Sequence, residues 1–419
     1  MNEKIHFLDL FAGAGGLSEG FIKAGYTPIA HVEMDQAACY TLKTRASYHW
    51  LKYNGKEDVY YDYLFGKISR SELYSYVPES QINSVINEEI NNFSLPKLFS
   101  QIDDLLNGRS IDIVIGGPPC QAYSLVGRSR DLNRMKGDKR NYLFVYYAEF
   151  LKRYKPRFFV FENVTGLLSA KSSKEELYFE MMRALFDKIG YKTEYKVLSS
   201  NDYGVLQQRK RVILVGRKGR KDGFYPDPTI WNPKVKVNEI FKDLPRLKAG
   251  EGSMKPCKLN KYNGTYLYEA GIKDALAPVT LHQSRPNSKQ DLRIYKIAVN
   301  KWNQNHQRLD YNNLPEDLKT HKNISSFRDR FKVVAGDMKY AHTVVAHISK
   351  DGHYYIHPDI EQNRSLTPRE AARLQTFPDN YFFESVSEKT GRTSAYYQIG
   401  NAVPVLLSKK IAEKLKESW

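Results

Sequence analysis

Residues 111–124 constrain this chain more than any other stretch. A β-branched run from Ile111 to Ile115 feeds Gly116, Gly117, Pro118 and Pro119, with Cys120 next and Ser124 closing the stretch. The pattern predicts a buried strand whose exit loop is held stiff, with the cysteine at its tip. In an open α/β sheet, ligands are handled at the carboxyl ends of strands, and a thiol placed there can act as a nucleophile. A lone cysteine more often fills a core, but a Gly-Gly-Pro-Pro frame is unusual scaffolding for a core filler.

The 419 residues suffice for a large core and two domains. Sixty-four Lys and Arg against 47 Asp and Glu give a formal charge of +17, a field that attracts polyanions, nucleic acid first among them. Cys39, Cys120 and Cys257 stand far apart, without the spacing of a disulfide framework or a zinc site, so no metal is expected. Asp9 interrupts the first apolar run and no long apolar window follows, so we expect a soluble, cytoplasmic protein with no membrane contact.

Taken in order, Ile5 to Leu10 predicts a strand, Phe11, Ala12, Gly13, Ala14, Gly15 and Gly16 a turn, and Leu17, Phe21 and Ile22 a helix. Such a turn brings backbone close to a nucleotide-like ligand. The glycine spacing departs from G-x-G-x-x-G, which disfavours a pyrophosphate cofactor and a nicotinamide oxidoreductase. A second strand, Thr27 to Val32, ends at Glu33, placed to grip ribose hydroxyls. Residues 46–85, rich in Tyr, Lys, Asp and Ser without a clean period, form an insertion of unassigned role. A strand at Ser84 to Ile86 precedes Glu88 and Glu89, either of which can accept from an adenine amino group. Pro96 to Leu106 predicts a helix.

Arg128, Arg130, Arg134, Lys136, Lys139 and Arg140 form a basic arm beside Cys120, suited to closing over a phosphate backbone. After a helix from Tyr142 to Leu151, the strand Arg157 to Phe161 ends at Glu162, on the same sheet edge as Cys120. Hemmed in by Phe159, Phe161 and Val164, Glu162 can hold or donate a proton. Arg209 and Arg211 stand at alternate positions at a strand entry and are expected to point into one pocket. Proline-rich, irregular sequence marks residues 223–384 as a smaller second domain that includes the 364–378 helix motif. Within it, His282, Gln283, Ser284, Arg285, Asn287 and Lys289 are candidates for reading base edges. Thr367, Pro368 and Glu370 give a helix start, and Gln398, Gly400 and Asn401 precede a final amphipathic helix.

These blocks resemble, in family order, the cytosine-C5 DNA methyltransferases of bacterial restriction-modification systems. Asp9 to Gly16 is similar to the family's AdoMet loop and Pro118-Pro119-Cys120-Gln121 to its nucleophile loop. Glu162-Asn163-Val164 is similar to its acid motif and Gln208-Arg209-x-Arg211 to its cytosine-binding motif. Residues 364–378 and Gln398-x-Gly400-Asn401 resemble its last two blocks. The resemblance implies an α/β, Rossmann-like AdoMet-dependent methyltransferase sheet built from residues 1–222 and 385–419, with a smaller, irregular target-recognition domain.

It implies catalysis by Cys120, Glu162, Arg209 and Arg211, through a covalent bond from Cys120 to C6 of a flipped-out cytosine. S-adenosyl-L-methionine would lie against Asp9, Phe11, Ala12, Gly13, Gly15, Gly16, Glu33, Met34, Glu89, Pro118, Asn401 and Ala402. Met34 stands where the family often has an aromatic residue. Double-stranded DNA would meet Gln121, Ser124, Arg128, Arg130 and Arg285. The implied protein is a monomer whose cognate restriction endonuclease acts independently. The alternatives are a tRNA cytosine-C5 methyltransferase, disfavoured by the long 223–384 segment, and a non-catalytic DNA-binding protein on the same fold.

Overall fold

The computed structural model describes residues 4–119, 142–219, 221–274, 277–320, 327–388 and 391–419. Its centre is a seven-stranded sheet. The strands are β1 (His6–Leu10), β2 (Thr27–Glu33), β3 (Val85–Asn87), β4 (Ile113–Gly116), β5 (Phe158–Asn163), β6 (Tyr191–Ser199) and β7 (Lys210–Lys218). Their spatial order is β3-β2-β1-β4-β5-β7-β6. The first five run parallel, and β7 runs antiparallel to both of its neighbours. The chain winds outward from β1 through β2 to β3, then returns to place β4 on β1's other side. The crevice at that reversal is where an open α/β sheet receives its ligand.

Alternation along the strands divides the core between two faces. Leu8, Leu10, Val114, Phe159 and Phe161 point to one. There they meet α6 (Leu95–Leu106), α7 (Leu143–Tyr154) and α8 (Tyr178–Lys188) through Leu98, Phe150 and Phe186. Phe7, Ile113, Ile115 and Val160 point to the other. That face carries α1 (Gly16–Lys23) and the last helix, α12 (Val405–Glu417). Gly20 admits this helix pair, since a Cβ there would lie 2.4 Å from the Ser408 side chain.

The residues around the predicted insertion are helical. Asp35 caps α2 (Gln36–Tyr53) by accepting from Ala38 N at 2.8 Å, and α3 (Glu57–Leu64), α4 (Arg70–Ser75) and α5 (Glu79–Asn83) follow. Their periodicity is blurred because tyrosines serve as core: Tyr48, Tyr60 and Tyr63 pack with Leu51 and Leu73. The Tyr60 hydroxyl donates to Asn380 O at 2.7 Å, fastening the insertion to the chain near the second region's end.

Beyond β7 the structure is mostly irregular before the last helices, with α9 (Lys289–Asn305), one short turn of helix at Tyr266–Glu269 and a two-residue antiparallel ladder of Gly252–Ser253 with His282–Gln283. Three helices follow: α10 (Pro368–Leu374), α11 (Arg392–Asn401) and α12. The start of α10 is a capping box, in which Thr367 accepts from Glu370 N and the Glu370 carboxylate accepts from Thr367 N. A third core joins Leu206, Tyr266, Leu281 and Val344 to Leu374, Phe377, Tyr396 and Ile399, so α10 and α11 share one interior with the irregular region. Among the described residues, no helix is long and apolar enough to cross a membrane.

Candidate active site

The carboxyl ends of β1, β2, β4 and β5 open into a cleft of about 590 Å³. One wall is the predicted turn. Phe11, Gly13 and Gly15 all have left-handed backbone, with φ of 55°, 55° and 79°. For Phe11 that conformation is costly and points to a built site. No side chain can stand at Gly16, where a Cβ would lie 2.3 Å from Val403 O. The floor is therefore bare backbone, pressed against the residues that enter α12.

Glu33 organises this wall. Its two oxygens accept from Gly13 N and Asp35 N, each at 2.8 Å, and each oxygen keeps a second lone pair. Burial raises the Glu33 carboxyl above its ordinary range, partly countered by those backbone donors. Met34 and Glu89 are exposed at the rim, with Ile90 buried beside them. Asp9 is buried and lines the same cleft, and its Oδ1 has no hydrogen-bond partner among the described residues. Ala12, Pro118, Asn401 and Ala402 also line it.

The opposite wall comes from β4, β5 and β7. Gly116 lies at φ 154°, and a Cβ there would fall 2.1 Å from Leu10 O. A Cβ on Gly117 would fall 2.7 Å from Glu162 Oε2, so the bare glycine lets the carboxylate fold over the exit of β4. Across it, Arg211 Nε lies 2.6 Å from Glu162 Oε1, both side chains largely buried. The aromatic neighbours expected to hem in Glu162 lie in the core instead, and the carboxylate faces a guanidinium. Asn163 is buried and donates to Pro118 O at 3.1 Å, tying the β5 end to the β4 exit. Beneath both strands the Tyr147 hydroxyl sits 3.1 Å from Val114 O and 3.2 Å from Val160 O.

Cys120, Gln121, Ser124, Arg128 and Arg130, with the rest of the basic arm, lie outside the described residues. Four other candidate residues lie away from this cleft. Arg209 is not in the cleft: it is buried, with Nη1 donating to Val344 O at 2.6 Å and Nη2 to Gly400 O at 3.3 Å. It precedes β7, so strand alternation does not carry it to the face of Arg211. Arg285 is buried too, its guanidinium on the Tyr396 ring at 4.4 Å and bonded to Ile348 O, and His282 is held by Thr367 and Pro245 O. Gly15 does not line the cleft, and a Cβ there would meet the Tyr381 hydroxyl at 2.7 Å.

Sequence reasoning missed Gln207, Gln375 and His31. Gln207 Nε2 donates to Leu374 O at 2.9 Å while its Oε1 accepts from Val344 N at 2.7 Å. Gln375 Nε2 donates to Ile399 O at 2.9 Å. Of the three, Gln375 stands inside a motif block, 364–378, Gln207 stands one position before the Gln208-Arg209-x-Arg211 motif, and His31 stands in none. Among the described residues, no group of His, Cys, Asp and Glu could hold a metal ion.

The profile of the C-5 cytosine-specific DNA methylase family matches residues 5–59 and 79–417, its internal gap, 60–78, falling in the tyrosine-rich insertion. The chain is 42% identical to the type II methyltransferase M.Bpa9945I of Bacillus paralicheniformis, covering 98% of each. It is 30% identical to M.DdeI, a type II methyltransferase of Desulfomicrobium norvegicum, over 99% of this chain and 89% of that one. A crystal structure described as a DNA modification methyltransferase from an E. coli prophage superposes with a TM-score of 0.63 at 22% identity, covering 99% of both chains, and supports the fold alone. By the profile and by these relatives, the chain belongs to the C-5 cytosine-specific DNA methylase family.

Proposed function

We propose that the chain transfers a methyl group from S-adenosyl-L-methionine to C5 of a cytosine extruded from a specific double-stranded DNA sequence, as the modification enzyme of a type II restriction-modification system. The observation that carries this reading is the convergence of Glu162 and Arg211 on the wall formed by Gly117, Pro118 and Pro119, which lead directly into Cys120.

The residues opposite fit the cofactor. The unpartnered Asp9 Oδ1 suits a cationic ammonium, Glu33 a ribose diol, Met34 and Ile90 the faces of a purine, and the bare floor near Gly13 close backbone approach. When bound, AdoMet supplies the electrophilic methyl group that C5 takes up. The rest falls to the chain's own side chains. Cytosine C5 is a poor nucleophile, so the Cys120 thiolate adds to C6 and pushes the electron pair of the C5–C6 bond toward C5. Glu162 holds the proton at N3, and Arg211, which already bonds Glu162, binds O2 and fixes the ring. Loss of the C5 proton then returns the electrons, breaks the bond between Cys120 and C6, and restores aromaticity. Because the target atom is inaccessible within a duplex, the base must be flipped out at a cost of a few kcal/mol, which contacts from the basic arm and the second region offset.

Transfer of labelled methyl groups to duplex DNA and to tRNA tests the substrate. The reading expects DNA alone to be labelled, and labelling of tRNA alone would overturn it. Duplexes carrying 5-fluorocytosine in the target should trap a denaturation-resistant adduct. Bisulfite sequencing of plasmid from expressing cells then identifies the modified cytosine.

A further inference from the structure

The register of the central sheet places a residue that no motif contains beside the cofactor cleft. In the parallel β1–β2 ladder, Asp9 is the direct partner of His31, so the two side chains leave the sheet on one face. His31 Nδ1 lies 3.1 Å from Asp9 Oδ2, and both side chains are at most 5% exposed. A carboxylate oxygen only accepts, so Nδ1 carries the proton of this hydrogen bond. The ring is fixed from behind by Phe7, edge-on at 5.9 Å, and the His31 backbone by its N–H bond to Ser84 O at 2.8 Å.

This arrangement divides the work of one carboxylate. Oδ2 is committed to the imidazole, whereas Oδ1, on a residue that lines the cleft, has no partner among the described residues. A buried acceptor without a partner is costly to keep, and a ligand donor would satisfy it. Of the cofactor's parts, only the α-ammonium of the amino-acid tail brings both positive charge and hydrogen-bond donors.

We propose that His31 is a positioning residue: by holding Oδ2 it turns Oδ1 of Asp9 toward the α-ammonium of the bound sulfonium cofactor, and so selects ligands that carry the amino-acid tail. The inference rests on the cofactor reading above and adds to it a residue outside the family blocks.

Calorimetric binding to the full chain separates the two. The probes are S-adenosylhomocysteine, which carries the tail, and 5′-methylthioadenosine, which lacks it. Binding of the first by the unaltered protein tests the cofactor reading, and its absence would defeat that reading whatever the variants do. His31→Val removes the donor with a residue suited to a strand, and His31→Ser is too short to reach Asp9, so either variant that folds gives the answer. The expected result is a loss on the order of tenfold for S-adenosylhomocysteine, with 5′-methylthioadenosine changed less than about twofold. His31→Asn, whose amide reproduces the Nδ1 donor, should recover most of the loss. Equal weakening of both probes would mean that His31 merely supports the sheet, and no weakening of either would mean that Asp9 needs no holding. Both outcomes overturn the proposal.

Discussion

The two halves of this molecule reach order by different means. The sheet around the cleft is held by regular backbone pairing and by apolar side chains that alternate between two faces. The region after β7 has little regular structure, and buried charge fixes it instead. Arg364 bonds Glu370 at 2.7 and 2.8 Å, and Arg373 bonds Asp243 at 2.6 Å and Asp379 at 2.7 Å, all essentially without solvent. Arg369, equally buried, spends its donors on the carbonyls of Thr280, Pro378 and Tyr381. Strand pairing tolerates exchange of one apolar residue for another, whereas a guanidinium with five placed donors specifies its loop outright. The lesson is that an irregular segment can be as determined as a sheet when buried arginines replace the missing ladder.

The sharpest break between the halves is chemical. Cys120→Ala should lower methyl transfer more than about a thousandfold while S-adenosylhomocysteine binding measured by calorimetry stays within twofold, because the proposed function gives the thiol a role in the chemistry and none in holding the cofactor. Equal loss of both would mean that the loop supports the cleft as well.

Arg373→Met tests the second half. It leaves Asp379 as a buried, uncompensated carboxylate and Asp243 with Lys273 as its one remaining cation, and denaturant titration should show a loss of about 3–5 kcal/mol. A loss below about 1 kcal/mol would mean that the charges are ornamental and the contrast false.

Acid offers a gentler probe. Burial lowers His342 to about 4 and, with help from Arg364, His357 to about 3, against about 6.5 in an unfolded chain. Between those values the unfolded state binds more protons, so stability should fall as pH drops below about 6.5. Against the pull of burial, Arg364 holds Glu370 well below the usual carboxylate range, and its contribution is lost only at lower pH. Thermal unfolding followed from about pH 8 to 4.5 should show a declining midpoint, flattened in the His342→Gln, His357→Gln double variant. The smallest effect belongs to the exposed pair of Arg293 and Asp317, 2.8 Å apart, whose loss in Arg293→Ala should cost under about 0.5 kcal/mol by denaturant titration.

The same contrast explains which features are legible in the sequence. Strands with β-branched runs, such as Ile113 to Ile115, were legible because burial on both faces leaves a compositional mark, and Glu162 and Arg211 were legible because each stands at a strand end. The burial of Arg209 and Arg285 is not legible, because a charged side chain in a sequence looks solvated and distant carbonyls, those of Val344, Gly400 and Ile348, make an interior place for it. Helices α3 to α5 were missed because tyrosine, polar at its tip, blurs the apolar period while filling a core. His31 was invisible because its significance is a matter of register, which needs two strands.

The packing of α1 against α12 has a temporal corollary. The Ser408 hydroxyl donates to Leu17 O across 391 residues of sequence, and Asn401, Ala402 and Val403 complete a cleft begun at Asp9. A ribosome would release the chain from Asp9 to Val403 before that cavity acquired its last wall. Contacts so remote in sequence form slowly. Products terminated before Asn401 would therefore emerge inert, and the modifying activity would switch on only once synthesis had passed α12.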